Sequence, residues 1–137
     1  MNPTFKITSQ DAANLLEGLV NVNQAQHKRH VKNGGDPFAV LKAIQQKKLR
    51  YKRADPKEHW QTYQELVKIT KDKLGSTGKI GADCEDLSAA VVAELRNAGI
   101  DARTYVYKAR PGLYHVIVKT EKWGFLDPSV SAGMKKV

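Results

Sequence analysis

A single cysteine, a histidine on an alternating strand and an aspartate ahead of a proline follow one another in this chain, and together they have the makings of covalent catalysis. Cys84 is the only cysteine of 137 residues and sits in Gly81-Ala82-Asp83-Cys84-Glu85-Asp86-Leu87-Ser88. His115 lies in Leu113 to Thr120, and Asp127 ends the run Trp123 to Asp127. A cysteine nucleophile needs a base to take the thiol proton and a carboxylate to hold that imidazole in one tautomer. Cys84, His115 and Asp127 are the three candidates. A free cysteine is also a small apolar residue, and an aspartate before proline also shapes turns, so each residue has a bland role beside the catalytic one.

The elements that must position these residues are readable locally. Asp83 is a good N-cap, and Asp86 three residues later completes a capping box. Leu87, Val91 and Leu95, with Ala90 and Ala98, predict the apolar face of a helix that Gly99 ends. Cys84 then occupies the first turn, where amide N–H groups and the helix dipole favour an anion and depress a thiol pKa. Asp83, Glu85 and Asp86 push the other way, because nearby negative charge raises it. Three carboxylates also offer oxygen to calcium, although a full ligand loop is missing. Leu113 to Thr120 alternates, with His115, Ile117 and Lys119 on one face and Tyr114, Val116 and Val118 on the other. Two neighbouring antiparallel strands bring His115 and Asp127 side by side.

The Asp-Cys-Glu-Asp-Leu-Ser segment with its Ala-rich helix, Ala98-Gly99-Ile100-Asp101-Ala102-Arg103, Tyr114-His115-Val116 and Leu126-Asp127-Pro128-Ser129 resemble the transglutaminase-like branch of the papain-like cysteine enzymes. Leu49 to Arg53, Glu58-His59-Trp60 and Gly133-Met134 extend the likeness to the small transglutaminase-like proteins of tailed bacteriophages, over roughly residues 49 to 134. The resemblance implies a papain-like α+β fold, with Cys84 as nucleophile, His115 as base and Asp127 as orienting acid. It implies acyl transfer on a protein or peptide substrate, hydrolytic before cross-linking, with no cofactor. In such enzymes a glutamine upstream of the cysteine often joins the cysteine's backbone N–H in the oxyanion hole, which makes Gln61 the tentative second donor beside Cys84.

Upstream, Thr8 with Asp11 predicts a capped helix running through Leu15, Leu16, Leu19, Val20 and Val22 towards His30. Asn33-Gly34-Gly35 breaks it, and Asp36-Pro37 predicts a second helix with Phe38, Leu41 and Ile44 inward. Asp55-Pro56 repeats the start signal for a third, carrying Trp60, Gln61, Tyr63, Leu66, Val67 and Ile69 as far as Leu74, before a Gly75 to Gly78 loop. After the nucleophile helix, Ala102 to Tyr107, a turn at Arg110-Pro111-Gly112, Leu113 to Thr120 and Trp123 to Asp127 predict an antiparallel sheet. The tail from Ser131 holds little to bury. The whole reads as one domain, α+β, with residues 1–48 helical, 49–134 the family-like core, and helices packed on a C-terminal sheet.

Lone Cys84 rules out an internal disulfide, and no stretch approaches the eighteen or so apolar residues of a membrane span, so cytoplasmic synthesis (or the virion, if phage-encoded) is the expectation. With 23 Lys and Arg against 14 Asp and Glu, the net charge of +9 draws the protein to polyanions. Five of the seven residues from Lys47 to Arg53 are basic and read as a solvated helix end. Three alternatives accompany a peptidase or amidase: a cell-wall hydrolase, a cross-linking transglutaminase, and a non-catalytic assembly or nucleic-acid-binding module.

Overall fold

The computed structural model describes residues 9–53, 60–72, 74–77, 80–111 and 113–135. Helices α1 (Ser9–Lys32), α2 (Ala39–Gln45), α3 (Tyr63–Lys71) and the single turn α4 (Leu74–Thr77) precede α5 (Cys84–Asn97). Strands β1 (Ala102–Arg110), β2 (Leu113–Thr120) and β3 (Gly124–Leu126) follow, then the short α6 (Pro128–Ser131). The class is α+β, with one antiparallel sheet in the order β1-β2-β3.

Helix α5 is the centre of the core, and every residue from Asp86 to Leu95 is buried. A helix buried on all sides carries apolar or small residues all round, and Ala89, Ala90, Val91, Val92 and Ala93 meet that requirement. Their small size lets α1 pack along α5 on one side while β1 and β2 lie against it. Both ends of α5 are closed as the sequence predicts. At the start, Asp83 accepts from the Asp86 amide while Asp86 accepts from the Asp83 amide. At the end, Gly99 adopts φ 83°, and Ile100 N donates to Leu95 O at 2.9 Å in a Schellman turn.

Helices α2 and α3 begin elsewhere than expected. Asp36 Oδ1 accepts from Phe38 N at 2.8 Å, which closes a turn ahead of a helix that starts only at Ala39. The first amides of α2 are taken by Glu94 of α5: Val40 N donates to Oε2 at 2.9 Å and Leu41 N to Oε1 at 3.0 Å. Trp60 and Gln61 are not helical, because Thr62 is the N-cap of α3 in a capping box with Glu65. The polar second half of α1 completes that cap: Tyr63 N donates to Asn23 Oδ1 at 2.8 Å and Gln64 N to Gln26 Oε1 at 2.9 Å. The capping box expected at Thr8 and the helix start expected at Asp55-Pro56 lie outside the described residues.

Three smaller expectations are corrected. Leu74 to Thr77 forms a separate helical turn, where the sequence predicts the third helix reaching Leu74 and a loop from Gly75. The basic cluster lies past α2: Leu49 is fully buried, Ala82 N donates to Arg50 O at 3.1 Å, and Lys52 N donates to Ala82 O at 2.9 Å. Its charged side chains are solvent-exposed, but its backbone braces the entry to α5. Gly81 is required there, since a Cβ would stand 2.5 Å from Arg50 O. The tail is anchored as well, with Ala132 in the core, its carbonyl accepting from Tyr51 N at 2.9 Å.

Candidate active site

The hairpin of β1 and β2 sets the base. Antiparallel register places Tyr107 opposite His115 and Val106 opposite Val116. Val116 and Val118 point into the core, as the alternation predicts. His115 belongs to the other face yet is only 4% exposed, because Asp127 and Tyr107 cover it. His115 Nε2 donates to Asp127 Oδ2 at 2.9 Å, and the Tyr107 ring stands edge-on to the imidazole at 5.7 Å between centroids. With the Asp127 carboxylate as acceptor, Nε2 is the donor, so Nδ1 is the ring nitrogen left to act as a base.

Asp127 does two jobs with its two oxygens. Oδ2 holds His115, while Oδ1 accepts from Ser129 N at 3.2 Å and Val130 N at 3.3 Å as the N-cap of α6. Pro128 at the first helical position completes that start. The turn-shaping role and the orienting role of this aspartate coexist.

The nucleophile side is built by docking α5 onto the free edge of β2. Ser88, one turn after Cys84, donates from Oγ to Val116 O at 3.1 Å, and the Val116 amide N–H favours the Cys84 thiolate. Both backbone groups of the residue following His115 are thus turned to one face of α5. Cys84 and His115 are brought to the same strand segment, but no hydrogen bond joins them. The thiol donates instead to Glu85 Oε2 at 3.5 Å.

The first-turn position does not depress this thiol. Burial pushes the Cys84 pKa far up, the Glu85 carboxylate adds to the rise, and the Val116 amide opposes it only in part. Burial also raises Glu85 and Asp86, each further disfavoured as an anion by Asp83. Two tyrosines outside the expected set share this field. Tyr107 is raised by desolvation and then by the charges of Asp127 and Cys84. Tyr51, beside Ala82, is raised by desolvation, Cys84 and Asp83. The Arg110–Leu113 pairing carried on regularly would set Lys108 opposite His115; a bulge between Lys108 and Arg110 brings Tyr107 there instead. That bulge, like the parallel bridge that brings Tyr51 beside Ala82, is announced by no local pattern.

Gln61 does not take the oxyanion role. Its Nε2 donates to Gly81 O at 2.7 Å and reaches Asp86 Oδ2 at 3.4 Å, while its backbone N donates to Asp86 Oδ1 at 2.8 Å. Both amide protons are therefore committed to fastening the loop before α5. The same bonds occupy Asp86, and Asp83 Oδ1 accepts from Asp86 N at 3.1 Å, so Asp83 and Asp86 form a cap network while Glu85 meets the thiol. Among the described residues no three metal-ligating side chains converge, which leaves the calcium option at Asp83, Glu85 and Asp86 without a ligand set. Among the same residues no helix is long and apolar enough to cross a membrane. No protein-family model, curated protein or solved structure matches this chain.

Proposed function

We propose that the protein is a cysteine-dependent acyl-transfer enzyme of the transglutaminase-like, papain-like kind, acting as a peptidase or amidase on a protein or peptide substrate. One observation carries the reading: a buried His115 held by Asp127 at 2.9 Å, on the strand segment whose next residue meets the Cys84 sulfur. His115 Nδ1 takes the Cys84 proton as sulfur bonds to the amide carbonyl carbon. The carbonyl oxygen becomes an oxyanion against the Cys84 backbone N–H. His115 then gives its proton to the leaving amine, the C–N bond breaks, and a thioester remains. Water, deprotonated by His115, resolves the thioester to a carboxylic acid and restores the thiol. An amine in place of water would give cross-linking.

Glu85 must release the thiol before attack, so the resting site is held off. A non-catalytic assembly module is the second reading, favoured by a thiol that donates to Glu85 Oε2 rather than to His115.

Mass spectrometry after incubation with a peptide mixture, quenched in acid, separates the two readings. The acyl-transfer reading expects a thioester adduct on Cys84, lost in Cys84→Ala and formed about 100-fold or more slowly in His115→Ala. Peptide cleavage that survives Cys84→Ala, or no adduct with any peptide, would overturn it.

A further inference from the structure

The outward face of the sheet has a composition that neither the core nor the candidate active site accounts for. Two large hydrophobic residues stand exposed on it, Tyr105 and Phe125, with the exposed Trp123 in the turn that leads into β3. The rings of Tyr105 on β1 and Phe125 on β3 meet across the sheet, 5.1 Å apart between centroids. Phe125 is 55% exposed. Cations border the rings, with Lys119 Nζ at 5.7 Å from the Phe125 centroid and Lys122 Nζ at 5.1 Å from that of Trp123. Register also sets Arg103 directly opposite Lys119. Like charges facing one another across strands disfavour the pairing. Among the described residues neither cation is ion-paired with a carboxylate.

A ligand that brings flat rings and negative charge together satisfies both features. We infer that this face binds single-stranded nucleic acid, its bases stacking on Tyr105 and Phe125 and its phosphates meeting Arg103 and Lys119. The net charge of +9 supplies long-range attraction to the same ligand. A duplex hides its base faces, and a chain of acidic side chains alone brings no rings to stack, so both are poorer occupants. This inference is independent of the acyl-transfer reading, since it uses neither Cys84 nor Asp127.

Fluorescence anisotropy with a labelled oligothymidylate of about twelve nucleotides tests it. The unaltered protein should bind, and the double variant Tyr105→Ala/Phe125→Ala should bind about tenfold or more weakly. Lys119→Gln should lower the slope of log affinity against log salt by about one. The same strand annealed to its complement, and polyglutamate, should compete poorly. The two aromatic positions are exposed, and an unchanged thermal midpoint confirms that the double variant is folded. Absence of binding, undiminished binding by the folded double variant, or equally good competition by polyglutamate would each overturn the inference.

Discussion

Glu85 and Glu94 lie on the same helix, and burial raises the pKa of both, yet they do opposite things. Glu94 is fully buried and surrounded by donors: the amides of Val40 and Leu41, and the Tyr63 hydroxyl at 2.7 Å from Oε2. It joins α5 to α2 and α3. Glu85 is only half-buried; it meets the Asp83 carboxyl, its own amide and the Cys84 thiol, and it stands where negative charge opposes a thiolate. The difference teaches that burial alone does not assign a role. A fully buried carboxylate surrounded by donors is architecture, and a half-buried one beside a nucleophile is a restraint.

The largest expected effect breaks the architectural half. Glu94→Ala leaves two amides and a hydroxyl without their acceptor, and urea unfolding should show a loss of about 3–5 kcal/mol, against less than about 1 kcal/mol for Glu85→Ala. The pH dependence sharpens the same contrast. Glu94 is raised from 4.5 to about 7 in the folded protein, so the fold holds its proton more tightly than the unfolded chain does. Its contribution is therefore complete below about pH 4.5 and is lost as pH climbs through about 7. Urea midpoints measured across that window should fall more steeply for the unaltered protein than for Glu94→Gln.

These contacts also mark where the sequence was legible. The ends of α5 were, since Asp83, Asp86 and Gly99 act on their own helix. The hairpin was as well, because alternation separates Val116 and Val118 from His115. The starts of α2 and α3 were not, because their caps come from Glu94, Asn23 and Gln26, on helices distant in sequence. His115 and Asp127 met as expected, being on neighbouring strands joined by a short turn. For the thiol, the opposing pulls of the helix start and the carboxylates are readable from sequence, whereas the desolvation that decides between them depends on what packs over Cys84. Gln61 was misassigned for a related reason: Gly81 and Asp86 claim its amide only once the chain has folded.

A smaller effect belongs to the restraining half. Glu85→Gln removes the charge that disfavours the thiolate, and iodoacetamide should then alkylate Cys84 about tenfold faster near neutral pH, as expected for a one-unit fall in thiol pKa. The smallest effect concerns Asp127. Asp127→Asn keeps an oxygen for the Ser129 and Val130 amides and should retain stability within about 0.5 kcal/mol, while Asp127→Ala also loses the cap and about 1 kcal/mol in urea. Both variants should impair acyl transfer, because neither holds His115 in the Nε2–H tautomer.

The central claim is that His115 acts on Cys84, and alkylation of this sole thiol reports on it directly. The measurement is the pH profile of iodoacetamide alkylation in Glu85→Gln and in Glu85→Gln/His115→Ala, where the competing carboxylate is gone. The account predicts that loss of His115 slows labelling about tenfold near neutral pH and moves the profile to higher pH. Superimposable profiles would contradict it, leaving Cys84 and His115 as neighbours without a shared chemistry.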